Sequence, residues 1–198
     1  AEVHVGLLFS ETTFEGFVET DFAVYQPARW ANNMHNLDRM RTKGRVLALA
    51  ERLKALVADE RLVLEASSEV PSVWNNRQVR DQWAYLLRGP DARKALQPVI
   101  ARDLSLETRI KDPAEHHRHV LLSARIDHEG FEVGLRINEH ATVDLQNLLG
   151  RADADPSGLA EALAALPDGV QVGEADPSVQ ALLGGARAAR RGQAEWVW

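Results

Sequence analysis

Apolar residues recur along this chain with two different periods, and the period sets the element each segment should form. From about Asn36 to Ala58, Val46, Leu49, Ala50, Leu53, Leu56 and Val57 fall three or four residues apart, on one stripe of an amphipathic helix. Gly44 costs about 1 kcal/mol against alanine inside a helix, so the firm part of that helix is expected to begin after it. Leu62, Leu64 and Ala66 alternate with Val63, Glu65 and Ser67, which is strand spacing. Val3, Val5 and Leu7 alternate in the same way. Val79, Trp83, Leu86 and Leu87 return to helical spacing and predict a second helix, ended by Gly89-Pro90. Asp91 is placed to cap a third through Leu96, Val99 and Ile100, which Pro98 should shorten or kink.

Residues 118–138 carry the clearest pattern. Val120, Leu122, Ala124 and Ile126 alternate, Asp127-His128-Glu129-Gly130 interrupts, and Phe131, Val133, Leu135 and Ile137 alternate again, as in an antiparallel hairpin. Opposed residues share a face, so keeping both apolar rows together on a buried side pairs Ile126 with Phe131, Ala124 with Val133, Leu122 with Leu135 and Val120 with Ile137. The outer face then pairs Arg125 with Glu132, Ser123 with Gly134, Leu121 with Arg136, His119 with Asn138 and His117 with His140. Beyond the hairpin, Val143, Leu145, Leu148 and Leu149 predict a helix closed by Gly150, and Asp155-Pro156 and Asp176-Pro177 each set a carboxylate cap before a helix-starting proline. Val170 to Val172 reads as a strand, and Trp196 and Trp198 fall on one face of another. Together these elements predict a single α+β domain over 1–198, a mainly antiparallel sheet including the 118–138 hairpin packed against several helices. A division into a helical half at about 30–102 and a sheet-rich half at about 103–198 is the alternative organisation.

Composition narrows the chemistry. The chain has no cysteine, which removes disulfides, thiolate metal sites and thiol nucleophiles, and fits a cytoplasmic, reducing setting. No apolar run is long enough to span a membrane, so none is expected as a partner. The net charge of -6 argues against nucleic acid as the general partner, although it hides basic clusters such as Arg39, Arg41, Lys43 and Arg45. Phosphate-binding loops, dinucleotide fingerprints, zinc-protease and nucleophile-elbow motifs are all missing from the sequence.

Two constellations remain. Arg77, Arg80 and Arg88 on one side of a helix read within residues 72–88, joined by Arg41 and Arg45, could form a basic face for a protein partner, for self-association, or for a phosphorylated or nucleic-acid ligand. The plainer reading puts Trp83 in the core and pairs the arginines with acidic neighbours, Arg77 with Asp81 for example. His117, His119 and His140 would converge at the open end of the hairpin if its register continued, and three imidazoles are a ligand set that zinc accepts, with Asp112 or Glu115 nearby. The first constellation makes the chain a non-enzymatic binding domain without a cofactor. The second would make it a metal-dependent enzyme.

Overall fold

Two helices precede the sheet, and a buried polar network joins them. In a computed structural model that describes residues 13–103, 115–138 and 140–165, α1 (Glu19–Ala23) is a short helix whose Asp21 carboxylate accepts the Val18 N–H at 2.8 Å. The same carboxylate accepts the Thr42 hydroxyl at 2.9 Å and pairs with Arg45, both from α2 (Asn36–Val57). Arg39 of α2 is fully buried (0% exposed) and donates to the carbonyls of Arg29 at 2.6 Å and Trp30 at 3.1 Å and to Asn36 Oδ1 at 2.8 Å. These bonds explain why α2 begins before Gly44 rather than after it: tertiary contacts hold its first turns, and they outweigh the propensity cost of one glycine. The helix stops at Ala58, which takes a left-handed conformation (φ 51°) and returns its N–H to the Lys54 carbonyl at 3.0 Å.

The sheet is an antiparallel meander of four strands, β1 (Leu62–Ala66), β2 (Gln82–Arg88), β3 (Leu121–Ile126) and β4 (Phe131–Arg136), in that spatial order. Two strands come from each side of residue 103, so both parts of the chain share one sheet in a single α+β domain. Between β2 and β3 the chain forms α3 (Pro90–Asp103), and after β4 it forms α4 (Thr142–Ala154) and α5 (Pro156–Ala164). Asp155 caps α5 as expected, accepting the Gly158 N–H at 2.9 Å. Asp91 sits within the first turn of α3 instead of capping it. Pro98 does not shorten α3, because it lies on the exposed side, where the carbonyl it leaves unbonded can be hydrated. Gly150 likewise lies inside α4. No described helix is long and apolar enough to cross a membrane. The predicted strands at Val3–Leu7 and Val170–Val172, the cap at Asp176, Asp112, Trp196 and Trp198 lie outside the described residues.

One element differs in kind from its expectation. Residues 82–88 are a strand, not the end of a helix. β2 is covered on both faces: Ala84 packs into a core with Val24, Tyr25, Val46, Ala50 and Ile126 under α1 and α2, while Tyr85 and Leu87 pack on the other side with Leu121. A strand buried on both faces loses its alternation and reads as a continuous apolar run, which helical spacing fits equally well. Its first residue, Gln82, is polar yet fully buried, and it donates to the Ser67 carbonyl (2.8 Å) and Oγ (2.7 Å) at the end of β1. The hairpin register is as the alternation predicts, from Leu121 opposite Arg136 to Ile126 opposite Phe131.

Arg39 gives the first test. Its guanidinium spans two carbonyls and an amide that no smaller cation reaches together. Arg39→Ala strands those acceptors in the interior and should lower unfolding free energy by roughly 3 kcal/mol. Arg39→Lys should recover less than half of that loss. Urea denaturation reads both, as a lower midpoint at unchanged slope.

Candidate functional site

The helix that was to carry the arginine face is absent. Because 82–88 is a strand, Arg77, Arg80 and Arg88 share no helix: Arg77 lies in the loop before β2 with φ 58°, and Arg88 is the last residue of β2. The six steps from Gln82 to Arg88 span about 20 Å along a strand, which separates Arg88 from Arg77 and Arg80. Arg88 is ion-paired with Asp144 of α4. Arg45 is paired with Asp21, and Arg41 with Asp38 at 3.3 Å. Arg80 bonds Gln78 Oε1 and lies 4.8 Å from the centre of the Trp30 ring. Asp81, offered above as a partner for Arg77, instead binds Arg125 at 2.9 Å. Sequence order could not reveal the Arg88 pair, whose members are 56 residues apart.

The histidines do not converge either. Residues Glu115–Arg118 form a 3-10 turn, β3 starts only at Leu121, and β4 ends at Arg136, so the ladder that would oppose His117 to His140 does not extend that far. His117 meets His116 edge to face at 4.3 Å, and His116 stacks on Tyr85 at 4.7 Å. His140 lies in the turn before α4, its N–H on Asn138 Oδ1 at 3.0 Å. Among the described residues no group of three or more His, Asp or Glu side chains is arranged to hold a metal ion.

His119 is nonetheless unusual. It is 1% exposed, and neither ring nitrogen has a hydrogen-bond partner. Burial first, and the Arg88 cation second, hold its imidazole below the ordinary value of 6.5, against the opposing pull of Asp144 and Glu115. Asp144 also accepts the Val120 N–H at 2.7 Å, so the carboxylate that anchors α4 to β3 sits beside this neutral ring. Burial, with the Glu65 carboxylate adding to it, pushes the nearby Tyr85 phenol up to about 12.

The feature that sequence reasoning missed is the outer edge of the sheet. The alternation correctly put Phe131, Val133 and Leu135 on the same face as Ala124 and Ile126, but it implied burial. In the fold they are 56%, 44% and 70% exposed. α2 packs across β1, β2 and β3, and Phe131 of β4 meets the Phe17 ring at 5.2 Å. Among the described residues no strand pairs with the outer side of β4, and these three residues carry the backbone groups of that side. The Asp127 N–H bonds the Gly130 carbonyl at 2.9 Å, and hydrogen-bonded rungs recur at every second pair in an antiparallel ladder. Glu132, Gly134 and Arg136 therefore bond inward to β3, and the N–H and C=O groups of Phe131, Val133 and Leu135 point outward. On the opposite face, Glu132 is paired with Arg125 at 3.3 Å and with Arg136, and both guanidinium groups lie over Trp83, at 5.2 and 4.5 Å. The available signal was contrast: β2 reads as a solid apolar run, whereas β4 alternates strictly, as a strand with one uncovered side does.

His119 yields a pH prediction. With its folded-state value depressed, the unfolded chain binds a proton that the folded chain refuses, so this contribution is complete above pH 6.5 and is lost as pH falls from 6.5 through the folded value. His119→Phe should flatten that part of the curve. Urea unfolding of both proteins at pH 7.5 and 5.5 compares the losses, and equal losses would remove His119 as the cause.

Comparison with protein families, with curated proteins and with solved structures found no match to this chain.

Proposed function

We propose that this chain is a non-enzymatic protein-interaction module that takes up an extended segment along the open edge of β4. The observation that carries the reading is the coincidence, on Phe131, Val133 and Leu135, of exposed apolar side chains with outward backbone donors and acceptors. An edge that is uncapped among the described residues is a template for strand addition, in which backbone bonds supply affinity and alternate side chains supply selectivity. Natural edges are usually blunted by proline, a bulge or an inward charge, and β4 has none of these on its apolar row. Nucleic acid is a poorer ligand class for it: most of the arginines that might meet phosphate are engaged by carboxylates, and the chain is acidic. The lack of cysteine is in keeping with a cytoplasmic meeting place for the partner.

A displayed library of extended heptapeptides tests the reading without a known partner. Selected binders should alternate apolar residues, and Val133→Pro should weaken them at least tenfold, because it removes an outward N–H that β3 does not use. Near-UV circular dichroism checks that the variant keeps its fold. Peptides that bind the proline variant as well as the native chain would overturn the proposal.

A further inference from the structure

Resting on that edge-binding reading, we propose that the segment β4 takes up is β4 of a second copy of this chain, paired antiparallel about a two-fold axis through Gly134. Opposed residues must share a face, which puts a residue on the axis, and Val133 and Gly134 are the two that keep most of the strand paired. An axis at Val133 sets Glu132 opposite Gly134 and gives neither charge a partner across the interface. An axis at Gly134 sets Glu132 of each copy opposite Arg136 of the other. It also sets Val133 opposite Leu135 and Phe131 opposite Ile137, each twice, on the apolar face.

The backbone agrees with this choice. Val133 and Leu135 carry outward N–H and C=O groups, so their rung is hydrogen-bonded, while the Glu132–Arg136 rungs are the close, non-hydrogen-bonded kind in which side chains meet best. Gly134 stands opposite its own copy at the axis, and the space where its side chain would project is open. Within one copy Arg125 holds Glu132 in place, while Arg136 lies inward over Trp83 and turns outward on pairing to meet Glu132 of the second copy. Trp83 opposes Arg125, and Arg125 opposes Glu132, so the partner copy's Arg136 extends an existing row of alternating charge beside an indole. Isologous pairing follows, since the same six-residue strand supplies both halves of the contact.

Charge exchange tests the inference. Arg136→Glu opposes two carboxylates at each of two rungs, and Glu132→Arg opposes two guanidinium groups, so either variant should weaken self-association roughly tenfold in sedimentation velocity. Mixing the two variants restores opposite charges at both rungs and should return a dimer as stable as the native one. Because both variants also break the Glu132–Arg136 pair within each copy, and Glu132→Arg removes a partner of Arg125, the native chain supplies an independent readout. Amide exchange at Val133 and Leu135 should slow as concentration rises. The inference falls if the native chain stays monomeric at its highest soluble concentration, if its dimer ignores both variants, if the mixture stays monomeric, or if those amides exchange at the same rate in the dimer. A monomer that still binds Val133-dependent peptides would remove the self-pairing alone. Loss of both would remove the edge reading as well.

Discussion

One helix cannot roof four strands. An α-helix with its side chains is about 10 Å across, whereas strands lie about 4.8 Å apart, so the outer strands of a four-stranded sheet are separated by about 14 Å. α2 covers β1, β2 and β3, where Val46 and Ala50 meet Ala84, Ala124 and Ile126, and its reach ends before β4. The rest of the molecule is arranged around that limit. The central strand is buried on both faces, with Tyr85, Leu87 and Leu121 buried on the second, and the shortfall in cover falls on the last strand.

The two strands at the extremes of burial were legible to different degrees, for one reason. β4 and its partner β3 alternate, and alternation around a four-residue turn fixes a register, so Ile126 opposite Phe131 and Arg125 opposite Glu132 could be read from sequence. Alternation says which residues share a face, but it does not say whether anything lies on that face. β2 is buried twice over and has no alternation to read, hence its resemblance to a helix. The histidine pairings failed where a correct register was carried past the end of the strands that define it. The helix that would carry Arg77, Arg80 and Arg88 on one side does not form, because 82–88 is a strand, and the partners of Arg88 and Arg45, Asp144 and Asp21, come from distant parts of the chain.

Polar groups in the interior tie the elements together where apolar packing alone would leave their relative positions free. Asp21 joins α1 to α2 through Thr42 and Arg45, Gln82 fixes the start of β2 against the end of β1, and Asp144 fixes α4 against β2 and β3. Such bonds add little net stability when all are made, but they are costly to break singly, so they select one arrangement of otherwise interchangeable apolar contacts.

The Trp30 carbonyl illustrates how far such a tie can extend. It accepts from Arg39 of α2 and also from the N–H of Val79, which leads into β2. One backbone oxygen thus belongs to three segments: the turn at 26–30, the long helix and the approach to the central strand. Opening the turn strands a donor in each of the other two, and opening either of those takes a bond from the shared oxygen, so the turn is held by both of its neighbours. The three form a single cooperative unit, with the opening free energy of the buried strand extended outward to a surface turn that, by its own short-range contacts, would be among the least protected parts of the chain.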